Sequence, residues 1–257
     1  MRTIRVFEAF AGYGSQAMAA KRLQADFPGE VEVVFVGISE IEPNAVRAYR
    51  AVHGDVPNFG DISKIDWDEV PDFDLLTYSF PCQDISNAGK QRGFSEGSGS
   101  RSSLLWECEK AIRAKRPRYL LMENVKALVQ RKFMPDFQRW IDLLASHGYA
   151  NFWRVLNAKD YGVAQNRERV FMVSVLRTES DPEPRYNFPD PFPLAKCVEN
   201  YMEPAGEVGE EYYISQERIT AKVLSDMLDQ PNVRAEMEKL YHDEWRQRPA
   251  DCGQPHR

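Results

Sequence analysis

The chain has no pair of cysteines at metal-ligand spacing. Its four cysteines, Cys82, Cys108, Cys197 and Cys252, are scattered without a CxxC. That argues against a structural zinc site, so no metal is expected, and it fits a reducing compartment. No apolar run reaches the length needed to span a bilayer, and residues 1–5 lead into a strand pattern without a signal-peptide apolar region. A cytoplasmic setting is therefore expected, with no membrane partner. No internal repeat or low-complexity tract is present. Net charge is small, −6 in 257 residues, and uneven. Residues 187–257 hold 14 acidic and 8 basic side chains, which accounts for all of it and leaves a neutral body with 25 of each. An acidic tail is a poor phosphate-gripping surface, although a neutral body can still carry a local basic face. What the chain does have is 43% hydrophobic and 12% aromatic residues, enough for one large folded domain with an appendage.

The pattern is α/β. Thr3 to Phe10 reads as a first strand, Gly12 and Gly14 make a tight turn, and Ser15 to Asp26 continues as a helix. Strand, glycine turn and helix start form the cradle of a Rossmann-like sheet, but the third glycine of the dinucleotide fingerprint is missing. A tight turn of purely structural use has the same signature. Val31 to Ile38 is the second strand and ends at Ser39-Glu40, where such folds hold ribose hydroxyls. Pro43 to Val52 is a helix with proline in its first turn. Asp61 and Ile62 precede a third strand, Asp74 to Ser79, and together suit an adenine edge; three strand ends of this kind favour an uncharged nucleoside-type ligand over a phosphate-rich one.

That third strand runs into Phe80-Pro81-Cys82. Proline has no N–H and a fixed φ, so it stops the strand and presents Cys82 at the carboxyl edge, where open α/β sheets bind ligands. A thiol there is a candidate nucleophile; a small buried hydrophobe is the bland alternative. The glycine- and serine-rich stretch Gln83 to Arg101, with Ser86, Lys90 and Arg92, reads as a lid whose cations meet phosphates, or else as an ordinary surface loop. Ser102 to Ala114 reads as a helix and Arg118 to Met122 as a fourth strand, ending in Glu123-Asn124, with Glu123 a candidate proton donor at the same edge. Pro135 to Ser146 is a helix, and Asn151 to Ala158 and Arg169 to Leu176 are two more strands. Alternation puts Arg167 and Arg169 on one face and Glu168 on the other. Five prolines between 182 and 193 mark a boundary, which divides the chain into 1–185 and 186–257. Beyond it, residues 211–214 look strand-like. Ser215 caps a helix bearing Ile219, Val223 and Met227, and a second amphipathic helix carries Val233 to Trp245.

Six blocks, EAFAGYG, the acid of ISEIEP, GDI, SFPCQDIS with GKQRGF, MENVKAL and QNRERVF, stand in order over residues 3–177. In these the chain resembles the cytosine-5 DNA methyltransferases of bacterial and phage type. The resemblance implies a Rossmann-like S-adenosylmethionine-dependent methyltransferase sheet with helices on both faces, plus a partial C-terminal appendage. It implies methyl transfer from S-adenosylmethionine to carbon 5 of a cytosine flipped out of double-stranded DNA in a bacterial or phage-infected cell. Cys82 would add to carbon 6, Glu123 would serve ring nitrogen 3, and Arg169 would hold the carbonyl oxygen with Arg167 nearby. Asn124 would order the loop. Phe10, Gly12 and Gly14 would line the methionine end of the cofactor, Glu40 its ribose, Ile41 the adenine face, and Asp61 with Ile62 the adenine edge. Pro81 would lie beside it, and the lid residues Gln83, Ser86, Lys90, Arg92 and Arg101 over the substrate.

VENYMEP…EEYYIS resembles the family's entry into its recognition region. The complete region and the final block are not found after Tyr213, which leaves three alternatives: a truncated non-catalytic remnant, one subunit of a split enzyme completed by a second polypeptide, or methylation of RNA cytosine.

Overall fold

The structure, a computed structural model, describes residues 1–85, 93–95, 99–204, 207 and 209, with the backbone alone at 101 and 199. The chain divides into two compact units, Met1–Val198 and Glu199–Arg257. The expected strand at 211–214 and the helices after Ser215 lie outside the described residues.

The first unit is an α/β sheet of six strands. In chain order these are β1 (Arg2–Ala9), α1 (Ser15–Asp26), β2 (Val31–Ser39), α2 (Pro43–His53), β3 (Leu75–Tyr78), α3 (Cys108–Lys115), β4 (Tyr119–Val125), α4 (Met134–Ser146), β5 (Tyr149–Asn157) and β6 (Glu168–Leu176). The sheet order is β2-β1-β3-β4-β6-β5. The first four strands are mutually parallel, whereas β6 runs antiparallel to both β4 and β5.

Strand alternation explains which side each helix covers. Phe7, Leu76, Tyr78, Leu120, Met122, Val170 and Met172 share one face, with α3 and α4 packed on it through Ala111, Ile112, Phe137, Trp140 and Leu144. Trp140 is fully buried and donates to the Tyr78 hydroxyl at 3.2 Å. Removing it to alanine would cost about 3–5 kcal/mol, the range for large aromatic truncation in a core. The opposite face carries Glu8 and Ile38, covered by Ala17 of α1 and Tyr49 of α2. Helices thus lie on both faces of the sheet. Each helix starts where local chemistry allows: Pro43 occupies the first turn of α2 behind a Glu42 cap, and Pro135 the first turn of α4.

Two expectations need correction. Arg101–Glu107 is a 3-10 helix, and the α-helix begins only at Cys108. The Ser100 hydroxyl accepts from the Ser103 N–H at 3.1 Å while the Ser103 hydroxyl donates back to the Ser100 carbonyl at 2.6 Å, and such local bonds compete with the wider α-helical ladder. The fourth strand does not stop at Met122. It runs to Val125, because the antiparallel β6 pairs with it as far as Val125 opposite Arg169.

Candidate active site

Because β1 to β4 are parallel, their carboxyl ends meet at one edge of the sheet, and the antiparallel β6 brings its start to that same edge. The expected site residues of the first unit follow from this arrangement.

On the β1–β2 side, Phe10 has φ 56°, a left-handed conformation uncommon for a bulky residue and a form of strain found at functional sites. Gly12 and Gly14 also have positive φ, 57° and 86°. A Cβ on Gly14 would lie 2.5 Å from the His53 ring, so the turn closes tightly onto α2; around Gly12 a Cβ would meet nothing within 4 Å. The His53 Nε2 is 3.0 Å from the Tyr13 carbonyl and must donate to it. Glu40 follows β2. One of its carboxylate oxygens accepts the Gly12 N–H at 2.8 Å, and the other accepts those of Ile41 at 2.8 Å and Glu42 at 2.7 Å. Its backbone is clamped by Asn58, which accepts from the Glu40 N–H at 3.1 Å and donates to the Glu40 carbonyl at 3.0 Å. Ile41 is 70% exposed and offers a free apolar wall, whereas Ile62 is 3% exposed with its side chain in the core. Asp61 caps the short turn after it, accepting from Ser63, and those bonds hold its carboxyl below the usual carboxylate range.

These features fit a nucleoside-type cofactor: a carboxylate with acceptor capacity beyond three backbone bonds, an exposed aliphatic wall, and an open glycine turn.

On the β3–β4 side, Cys82 is half-buried and opens a turn in which the Ile85 N–H donates to its carbonyl at 3.0 Å. The residues around it are pinned. The Asn124 amide, itself 2% exposed, donates to the Phe80 carbonyl at 2.9 Å. Fully buried Ser102 donates to the Pro81 carbonyl at 2.6 Å and accepts the Asp84 N–H at 3.3 Å, so one hydroxyl brackets Cys82 from both sides. Glu123 and Arg169 lie on one face as diagonal neighbours across β4 and β6, and Arg169 Nε is 3.0 Å from Glu123 Oε1. Arg167 lies before β6 and is exposed, its backbone N–H donating to Asn157 at 3.0 Å; Arg169, not Arg167, pairs with Glu123.

The stretch expected as a lid is held at its middle. The Gly93 N–H donates to the Asp84 carbonyl, Phe94 is fully buried against Phe80, and Trp106 Nε1 donates to the Phe94 carbonyl at 2.7 Å. Gln83 is exposed, Arg101 opens the 3-10 segment, and Ser86, Lys90 and Arg92 lie outside the described residues.

Sequence reasoning missed Asn58, Ser102 and Gln16, whose amide donates to the Ser79 hydroxyl at 3.1 Å. Asn58 carried a weak signal, an asparagine before Gly60-Asp61 in a turn-rich stretch. Ser102 and Gln16 carried none, since a serine among serines and a helix-surface glutamine look like solvated residues.

No helix among the described residues is long and apolar enough to cross a membrane, and no cluster of three metal-ligating side chains occurs among them.

A family model described as C-5 cytosine-specific DNA methylase matches residues 4–249. The chain is 38% identical to the type II methyltransferase M2.ScrFI of Lactococcus lactis subsp. cremoris, over 88% of this chain and 74% of that protein. It is 34% identical to the orphan methyltransferase M.SssI of Spiroplasma monobiae, over 68% of this chain and 60% of that one. Among solved structures, the Entamoeba histolytica methyltransferase EhMeth superposes with a TM-score of 0.63 at 17% identity, over 84% of this chain and 64% of that one. The Spodoptera frugiperda DNMT2 mutant gives 0.62 at 18% identity, over 82% and 62%. These last two likenesses speak to the fold.

Proposed function

The chain belongs to the C-5 cytosine-specific DNA methylase family, and from that premise we propose that it methylates carbon 5 of cytosine in double-stranded DNA using S-adenosylmethionine. The observation that carries this is the pinned thiol: Cys82, bracketed by Ser102 and Asn124, at the same sheet edge as the Glu123–Arg169 pair. Carbon 5 of cytosine is a poor nucleophile. Addition of the Cys82 thiolate to carbon 6, with a proton delivered to ring nitrogen 3 through Glu123, turns the ring into an enamine whose carbon 5 can attack an electrophile. Arg169 steadies the Glu123 carboxyl and holds the cytosine carbonyl oxygen. Methyl transfer leaves S-adenosylhomocysteine; carbon 5 then gives up its proton to solvent, ring nitrogen 3 returns its proton to Glu123, and the Cys82–carbon 6 bond breaks to release the thiolate and 5-methylcytosine.

S-Adenosylmethionine supplies the methyl group as a sulfonium electrophile. Glu40 binds its ribose hydroxyls, Ile41 covers the adenine, Asp61 and the Ile62 backbone meet the adenine edge, and Phe10, Gly12, Gly14 and Pro81 line the methionine side. A base in this site has left its stack, and the stretch Gln83–Arg101 closes over it. The work takes place in the cytoplasm of a bacterial or phage-infected cell, where the DNA is.

The chain spans 74% and 60% of the two curated relatives, and a second reading is one subunit of a split enzyme completed by another polypeptide. Incubation with tritiated S-adenosylmethionine and duplex DNA, with and without the product of the neighbouring reading frame, tests both. Label in DNA from the chain alone supports the first, and label only with the second product supports the other. Label in neither, with transfer RNA labelled in a parallel arm, moves the substrate to RNA.

A further inference from the structure

Beyond the last paired residues of the β1–β3 ladder, Ala9 opposite Tyr78, the two chains part. One goes to the glycine turn and α1, the other to Cys82. A side-chain bond ties them again: Gln16, in the first turn of α1, donates from Nε2 to Ser79 Oγ at 3.1 Å. Ser79 stands three positions before Cys82, and Phe80 and Pro81 between them are fixed from the far side by Asn124 and Ser102. Gln16 is held as well, since the Ser15 hydroxyl donates to its Oε1. Both side chains are half-buried, so the tie faces the open edge between the two halves of the site.

We propose that Gln16 and Ser79 are positioning residues that couple occupancy of the methyl-donor side to the reactivity of Cys82. This rests on the function proposed above. A ligand entering beside the glycine turn must keep this bond or replace it, and either way the peptide leading to the nucleophile is shifted or stiffened. Neither side chain takes part in bond making.

The test needs neither DNA nor turnover. Alkylation of Cys82 by iodoacetamide is followed on its tryptic peptide by mass spectrometry, with and without saturating S-adenosylhomocysteine, and the affinity of that ligand is measured by calorimetry. The wild-type chain is compared with Gln16→Ala, Ser79→Ala, the double variant, and Ser79→Thr, which keeps the hydroxyl. The ligand should change the Cys82 rate in the wild type and in Ser79→Thr, and the response should collapse toward one in the other three. Affinity should fall about twofold to tenfold in each alanine variant, the scale of one hydrogen bond, with no further loss in the double. A wild-type response retained in the alanine variants, or losses that multiply in the double, overturns the coupling. A wild-type Cys82 rate indifferent to bound ligand overturns this inference alone, whereas no ligand binding to the wild type overturns the methyl-donor reading with it. Thermal melts of all five proteins separate these effects from loss of fold.

Discussion

Glu8→Gln should stabilise the protein above neutral pH. Glu8 is 1% exposed on the α1–α2 face of β1, accepts from the Tyr49 hydroxyl at 3.3 Å, and its Oε1 finds no partner among the described residues. Burial dominates and pushes its carboxyl up to about 7, opposed by the bonds from Tyr49 and the Gln16 backbone. The ordinary value is 4.5. Because the folded value is the higher, the native state binds more protons than the unfolded state between the two, and stability falls as pH rises through that window. The contribution of Glu8 is complete below pH 4.5, declines toward pH 7, and is gone above it. The gap corresponds to about 3 kcal/mol at its full extent. Glutamine has the shape of the protonated acid and cannot ionise, so the variant escapes this loss. Urea unfolding followed by tryptophan fluorescence at pH 5, 6, 7 and 8.5 should show near-equal stability at pH 5 and an advantage of about 2–3 kcal/mol for the variant at pH 8.5, with an unchanged denaturant slope. A variant equal to or weaker than wild type at pH 8.5 would refute the reasoning, and would mean that a cation or ordered water compensates the buried charge.

Cys82→Ala should abolish methyl transfer and the denaturant-resistant adduct with 5-fluorocytosine DNA while leaving S-adenosylhomocysteine affinity intact by calorimetry. Arg169→Ala should slow transfer about a hundredfold to a thousandfold in single-turnover assays, the scale of losing a preorganised donor to a developing charge. Glu40→Ala should weaken S-adenosylhomocysteine by about 1–3 kcal/mol in a titration, since a charged acceptor is lost. Ser102→Ala removes the hydroxyl shared by the half-buried Pro81 carbonyl and the Asp84 N–H, at a cost of about 1–3 kcal/mol in urea unfolding, and should lower the rate of adduct formation.

The parts of this molecule that obey a local rule could be read without coordinates. Helix α1 runs from Ser15 to Asp26 as the pattern predicts, because Gly14 in a left-handed conformation ends the turn and the helix follows at once. Cys82 comes just past the end of β3 at the sheet edge, and Glu40 follows β2, whose VEVVFVGIS is rich in β-branched residues. Partnerships made across the fold were not legible. That β6 runs antiparallel, extending β4 past Glu123 and pairing Arg169 with it, depends on strand neighbours far apart in sequence. The 3-10 start of the segment at Arg101 depends on hydroxyls that bond locally, and a helix pattern does not reveal them. Asn58, Ser102 and Gln16 act through side-chain bonds to residues well separated in sequence; nothing in the immediate neighbours of Ser102 and Gln16 marks them, and Asn58 has only its place in a turn-rich stretch.

The direction of β6 also decides where this molecule can accept extra chain. Val170, Met172 and Ser174 alternate inward, and their core packing alone dictates that Arg169 points the other way. The hairpin at 158–167 feeds the strand without aiming it. Lengthening that tip by a few residues should therefore leave the arginine's aim untouched, whereas slipping β6 by one place would send it to the wrong side of the sheet.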